Sequence, residues 1–233
     1  MDTILEALKQ AITLILEGDP VILAIVGRSL HVTIFALIIS TIIGIPLGTW
    51  FALSNFRGKR ILTAFIYTGM GLPPVVVGLV VYLLLSRSGP MGDLGWLFTI
   101  PAMILAQSII ATPLIVGVTL SSVLGIDPAL RPQLKALGAT QWQATTALLI
   151  EARFGLIVGL VAGFGSIISE VGAVMLVGGN IDGHTRVLTT AIVLETRRGN
   201  FDLALALGII LLSLSFMTNF VLALLQGRTG MKR

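Results

Sequence analysis

The feature that most constrains this chain is a set of long apolar runs without charged side chains. Since about 20 predominantly apolar residues can cross a bilayer as one helix, each run is long enough to span a membrane. Four runs contain no Lys, Arg, Asp or Glu, and they cover residues 29–56, 61–86, 94–126 and 203–227. A fifth run, 154–181, contains a single charge, Glu170.

These runs predict an all-α polytopic membrane protein with five core transmembrane helices. The composition agrees, because only 11% of the residues are charged and the mean hydropathy is +1.01, whereas soluble domains carry about 25% charged residues. The net charge of +4 does not indicate nucleic-acid binding, because the basic residues are scattered among short loops. The spans are predicted at about 29–54, 61–85, 96–122, 155–178 and 203–226, with breaks at Pro73-Pro74 and at Pro113.

Residues 1–20 have a different pattern, with apolar side chains on one helical face and polar side chains on the other. This pattern is typical of an amphipathic helix that lies in the membrane interface. The turn formers Gly18, Asp19 and Pro20 are expected to end it. An alternative is a short extra span over residues 4–26, which would place Glu17 and Asp19 inside the membrane.

The distribution of Lys and Arg predicts the orientation of the five spans. If the N-terminus lies outside, the inner segments are 55–60, 127–153 and 228–233. They hold nine of the fifteen basic residues and only two of the eleven acidic ones. Because cytoplasmic loops are enriched in Lys and Arg, we expect the N-terminus outside and the basic tail, 228–233, in the cytoplasm. The outer segment 182–202 contains a stretch too short to span, which predicts a short interfacial helix.

The inner segment 127–151 is polar and reads as two short helices joined by a glycine. Asp127 followed by Pro128 is a helix-start signal, and Gly138 is suited to the left-handed conformation that ends a helix. Thr140 followed by Gln143 matches a capping box, which predicts the start of a second helix. The segment is therefore expected to form a shaped knob.

The stretch LGATQWQ, followed by LLIEARFGLIVGLVAGFG, resembles the coupling motif of type I ABC-importer permeases. In that motif the sequence EAA is followed by three residues and a Gly. Nine residues later comes an Ile, then one residue and Leu-Pro. Gly138 matches the Gly, and Leu148 and Ile150 match the apolar pair. The match is imperfect, because the EAA positions are occupied by Pro132, Gln133 and Leu134, and Glu151 stands in place of the Pro.

The resemblance covers essentially the whole chain after residue 20. TIIGIPLGTWFAL and GLPPVVVGLVVYLLL are similar to the first two core helices of that family. The stretch from Ser169 to Thr196, together with IEARFG, is similar to the tungstate-type permeases, with molybdate and sulfate permeases next.

The resemblance implies a permease subunit that works as a homodimer with two cytosolic ATPases and an extracytoplasmic oxyanion-binding protein. The chain contains no G-x-x-x-x-G-K-[ST] motif for binding ATP. ATP and Mg are therefore expected on the ATPase, and this chain is expected to have no catalytic residue and no cofactor. The residues expected to couple to the ATPase are Lys135, Ala136, Leu137, Gly138, Ala139, Thr140, Trp142 and Gln143.

Five polar residues and one glycine within the predicted spans are candidates for the pathway or its gate: Gln107, Thr112, Ser166, Ser169, Glu170 and Gly172. Intramembrane charges are costly and usually functional, but a bare carboxylate suits an anion pathway poorly. We therefore expect Glu170 to hydrogen bond with backbone N–H groups or hydroxyls, in a structural or gating role. Hydroxyls and amides in spans are more often interhelical hydrogen bonds than pathway linings.

Gly155, Gly159 and Gly163 recur at every fourth residue, which predicts close packing of this helix against another. No metal site is predicted, because the chain has no Cys and only two His, His31 and His184, which lie in different segments. The alternatives to a tungstate permease are a molybdate or sulfate permease. An ion-driven secondary transporter is less consistent with the pattern, because it usually has paired ionisable residues mid-membrane.

Overall fold

The computed structural model describes residues 9, 12, 13 and 18–230, with no side-chain description at 221–223 and 225–230. The predicted interfacial helix, 1–20, therefore lies largely outside the described residues. These residues form α-helices and one 3-10 helix, Gly92–Leu94, and include no strand. The α-helices are α1 (Pro20–Leu53), α2 (Lys59–Met70), α3 (Pro74–Leu85), α4 (Ile100–Leu124), α5 (Leu130–Ala136), α6 (Gln141–Glu151), α7 (Arg153–Ile168), α8 (Gly172–Gly178), α9 (Leu188–Arg197) and α10 (Phe201–Gly230).

Helix α1 begins nine residues before the predicted first span. Its N-terminus is capped by the Asp19 carboxylate, which accepts hydrogen bonds from the backbone N–H groups of Val21 at 2.8 Å and Ile22 at 3.1 Å. Pro20 occupies the first turn, where no intrahelical N–H partner is needed. Residues 20–26 are thus part of α1, and the rest of the alternative short span over 4–26 lies largely outside the described residues. At the other end, Lys59 donates to the carbonyls of Ala52 and Ser54.

Three described helices are long and apolar enough to cross a membrane singly: α1, α4 and the part of α10 up to Phe220. Two further candidates are bent pairs, which brings the number to at most five. The predicted second span is one of these pairs. Helices α2 and α3 meet at 97° around Pro73-Pro74, because proline lacks an N–H and restricts the residue before it. The predicted break is confirmed.

The predicted fourth span, 155–178, is also not one helix. Helix α7 ends at Ile168 and α8 begins at Gly172, which leaves a break over residues 169–171. At its other end α7 follows α6 at an angle of 65°, and these two helices form the second bent pair. The sequence at 169–171 contains no proline, and the hydrogen bonds around this break are described below.

Helix α4 forms the centre of the bundle, with α1, α2, α3, α7 and α8 packed around it. It runs without interruption through Pro113, so the predicted break at that residue is wrong. Close approach to α1 depends on glycine, because a Cβ at Gly48 would lie 2.6 Å from the carbonyl oxygen of Val116. The predicted short helix within 182–202 is present as α9, which packs against α10 and α1.

Candidate coupling loop and the helix breaks

The polar segment folds as the sequence predicts, with a glycine turn between α5 and α6. Gly138 has φ of +87°, in the left-handed region that glycine adopts freely. The N–H of Gly138 donates to the carbonyl of Lys135 and the N–H of Ala139 donates to that of Leu134, both at 3.0 Å. These two bonds form a Schellman motif, which satisfies carbonyls at the end of α5.

The capping box at the start of α6 is also present. The Thr140 hydroxyl accepts from the Gln143 N–H at 3.2 Å, and the Gln143 side chain accepts from the Thr140 N–H at 2.8 Å. The start of α5 differs slightly from the prediction. Asp127 accepts from the N–H of Ala129 at 2.8 Å, but the helix begins at Leu130. The loop therefore has two defined helix ends on either side of Gly138.

A long-range contact that sequence reasoning missed fixes this loop to the first helix. The Arg131 guanidinium donates to the carbonyl of Leu53, at the end of α1, at 3.2 Å. It also donates to the Gln141 side chain, in the first turn of α6, at 3.3 Å. One side chain therefore connects α1, α5 and α6. The positive charge at residue 131 is visible in the sequence, but its two partners are not.

The tip of the loop is exposed and partly apolar. Leu137 is 85% exposed and Trp142 is 79% exposed, whereas Ala144 and Leu148 of α6 are buried. Of the eight predicted coupling residues, Ala139 is half-buried and the other seven are exposed. Large exposed apolar side chains on a rigid, polar element are typical of a protein-binding surface.

The break between α2 and α3 lies beside the break between α7 and α8. A Cβ at Gly78 of α3 would lie 2.5 Å from the Cα of Ala173 in α8, and a Cβ at Gly172 would lie 2.5 Å from Cγ2 of Val75. Helices α3 and α8 thus pack backbone to backbone immediately after their respective breaks.

Glu170 lies within the second of these breaks and is half-buried. Its carboxylate accepts from the N–H of Ala173, in the first turn of α8, at 3.0 Å. Its backbone carbonyl accepts from the hydroxyl of Thr189 in α9 at 3.1 Å. The predicted hydrogen bond to a backbone N–H is confirmed, and it caps a helix that the sequence did not predict to begin there.

The structure brings most of the pathway candidates to this break. Gln107 is buried, with 4% exposure, and donates to the carbonyl of Ile167 near the end of α7 at 2.9 Å. Ser166 and Ser169 are exposed around the end of α7. Thr112 lies farther along α4, by about 7.5 Å at 1.5 Å per residue, and its hydroxyl bonds to the carbonyl of Ser108 in its own helix. Thr112 is therefore not part of the cluster.

The glycine stripe on α7 packs against α4, as its spacing predicts. A Cβ at Gly155 would overlap Ser122, and one at Gly159 would lie 3.1 Å from Cγ1 of Val118. At Gly163 the nearest atom would be 3.4 Å away, which is an ordinary contact. Within the part of the chain that the structure describes, no group of three or more metal-ligating side chains occurs.

Comparison with known proteins places these features in a family. Residues 44–230 match the family described as binding-protein-dependent transport system inner membrane component. A probable anion ABC transporter permease of Haloferax volcanii is 44% identical over 89% of this chain and 92% of its own length. The tungstate uptake system permease TupB of Peptoclostridium acidaminophilum is 41% identical over 97% of this chain and 99% of its own.

Solved structures show the same fold. A permease chain of a bacterial importer for the acidic polysaccharide alginate has a TM-score of 0.75 at 21% identity, over 91% of this chain and 80% of that one. A chain of the MetNI methionine ABC transporter has a TM-score of 0.66 at 17% identity, over 90% of this chain and 94% of that one. With its central α4, its broken spans and its exposed two-helix loop, the chain belongs to the family of binding-protein-dependent transport system inner membrane components.

Proposed function

We propose that this chain is the permease subunit of an ABC importer that carries an oxyanion, with tungstate as the substrate. The observation that carries the transport class is the coupling loop, in which two defined helix ends present exposed Leu137 and Trp142. The substrate is supported by the names of the relatives. Besides the permease from Peptoclostridium, the tungstate permease TupB of Campylobacter jejuni is 34% identical over 95% of this chain.

Molybdate and sulfate are the alternative substrates. A putative molybdenum permease of Bacillus subtilis is 28% identical over 82% of this chain. All three anions are tetrahedral oxyanions, and an anion in transit is bound best by N–H and hydroxyl groups that release it readily. Selection among them would then belong mainly to the binding protein that delivers the anion.

The proposed domain boundaries are 21–227 for the permease domain, with 1–20 and 228–233 as flanking segments. The N-terminus would lie outside and the C-terminus in the cytoplasm, which puts the coupling loop on the cytoplasmic side. Five spans supply half of a pathway, so a second copy of the chain would complete it. Two ATPases that hold ATP and Mg would bind the two coupling loops, and the binding protein would dock on the outer side.

The adjacent breaks would form the moving part of the pathway. Glu170 caps α8 at the break, and the packing of Gly78 against Ala173 joins the two broken spans. A shift of α7 relative to α4 along the glycine stripe would therefore reach both breaks together. In this scheme Glu170 holds the break in shape and does not contact the anion.

The first experiment is to purify the tagged chain from its native membrane in mild detergent and identify the co-eluting proteins by mass spectrometry. We expect an ATPase with a P-loop at a one-to-one ratio, and we expect Gly138→Asp to reduce it. The matched control is Gly183→Asp, because Gly183 also has positive φ and open space but lies in the loop before α9. Recovery of a folded chain without an ATPase would contradict the coupling role.

The substrate is tested separately by uptake of tungstate, molybdate and sulfate in cells that depend on this transporter. We expect tungstate uptake at the lowest concentrations and loss of that uptake when the chain is deleted. Uptake that prefers molybdate or sulfate would reassign the substrate and leave the permease assignment intact.

A further inference from the structure

A small polar cavity lies inside the bundle, next to the break after α7. It is lined by Ser29, Val32 and Thr33 of α1, Gln107 of α4, Ile168 of α7, and Val187 and Thr189 at the start of α9. Its volume is about 10 Å³, which is close to the space that one water molecule needs. The four polar side chains are all buried, with exposures between 2% and 7%.

Gln107, which lines the cavity, has a side-chain oxygen without a hydrogen-bond partner. Its Nε2 donates to the carbonyl of Ile167, whereas its buried Oε1 has no hydrogen-bond partner among the described residues. The Ile167 carbonyl fixes this orientation, because a flipped amide would place two acceptors against each other. Leaving a buried polar atom without a partner is unfavourable, so a donor is required here.

Of the three hydroxyls that line the cavity, only one is free to donate a hydrogen bond. Ser29 already donates to the carbonyl of Ile25 and accepts from the N–H of Leu188, both at 2.8 Å. Thr189 already donates to the carbonyl of Glu170. Both can therefore only accept further hydrogen bonds. The Thr33 hydroxyl makes no hydrogen bond to another described residue, so it can donate.

We propose that this cavity binds one water molecule, which donates to Gln107 Oε1, accepts from the Thr33 hydroxyl and donates to the hydroxyl of Ser29 or Thr189. This arrangement gives the water three hydrogen bonds, the usual number for a buried water. The water connects α1 and α4 next to the break after α7. It belongs to the interior of one subunit and is independent of which oxyanion is carried.

The direct test is a cryo-EM map of the assembled transporter at a resolution that shows ordered water. We expect density between Gln107 and Thr33 in the wild type and its loss in Thr33→Val, which keeps the side-chain shape and removes the hydroxyl. Thr49→Val is the matched control, because Thr49 is also a buried threonine of α1 but bonds to the carbonyl of Ile45. A map that resolves other buried waters and shows none here would overturn the proposal.

A thermodynamic cycle tests the bridge without a map. Thr33→Val and Gln107→Met remove the two ends of one water bridge, so their effects on the unfolding equilibrium should be non-additive by roughly threefold or more. Thr49→Val combined with Gln107→Met should be additive within error. Additivity in both cycles would show that no shared water connects residues 33 and 107. All variants are compared in the full transporter, with ATPase co-elution as the check of assembly.

Discussion

The sharpest prediction concerns the backbone at Gly138. This residue has φ of +87°, and a Cβ placed there would meet no atom within 4 Å. A substitution by alanine therefore introduces conformational strain without a steric clash. For a residue with a Cβ, the left-handed conformation costs about 1–2 kcal/mol, whereas asparagine adopts it more readily.

This strain should appear as weaker binding of the ATPase. The loop must keep the positive φ to present Leu137 and Trp142 in the bound state, whereas the free loop can relax. Since about 1.4 kcal/mol corresponds to a tenfold change in an equilibrium constant, Gly138→Ala should weaken the affinity by roughly 5- to 30-fold. Gly138→Asn should lose much less. The assay is titration of the purified ATPase onto the permease in nanodiscs.

Gly58→Ala provides the control for a general effect of backbone strain. Gly58 has φ of +94°, and a Cβ placed there would meet no atom within 4 Å. It lies between α1 and α2, outside the coupling loop. This variant carries a similar backbone strain but should leave the affinity for the ATPase unchanged. The reasoning is refuted if Gly138→Ala and Gly138→Asn bind the ATPase equally well, or if Gly58→Ala weakens binding as much as Gly138→Ala.

Three further predictions concern helix ends and packing. Thr140→Ala removes the capping box and should lower the free energy of unfolding by about 1 kcal/mol, measured as a lower Tm in detergent. Gly78→Ala should destabilise the protein by about 1–3 kcal/mol and lower its Tm, because the new Cβ would lie 2.5 Å from a backbone atom of α8. The control is Gly27→Ala, which should not lower the Tm, because a Cβ at Gly27 would meet nothing within 4 Å. Glu170→Gln keeps an acceptor for the N–H of Ala173 and should retain the Tm. Glu170→Ala removes that acceptor and should lower the Tm. Equal Tm values for these two variants would contradict the capping role.

The local features of the coupling loop could be predicted because they depend on residues close in sequence. The left-handed turn at Gly138 and the capping box of Thr140 with Gln143 each involve a few neighbouring residues, and both are present. The break at Pro73-Pro74 is similar, because a missing N–H is a property of proline itself. By contrast, Arg131 bonds to Leu53, which is 78 residues away, and no local pattern identifies that partner.

The candidate site was predicted only in part for the same reason. Glu170 and Gln107 could be selected as unusual polar residues in apolar runs, but their roles depend on neighbours from other helices. The break at 169–171 contains no proline, and it is stabilised by side chains that satisfy the carbonyls it exposes. Those side chains, Gln107 and Thr189, come from α4 and α9.

The sequence by itself determined that the chain is a helical membrane protein, where its apolar runs lie and how its polar loop turns, because hydrophobic length and backbone dihedral preferences are local properties. Apart from the break at Pro73-Pro74, only the tertiary structure decided where the spans are interrupted. Helix α4 continues through Pro113, where α2 packs so closely that a Cβ at Gly69 would lie 2.9 Å from the proline ring. The fourth span breaks without a proline, and there the carbonyl of Ile167 accepts a hydrogen bond from Gln107, 60 residues away. Whether a backbone group pairs along its own helix or across the bundle is settled by packing.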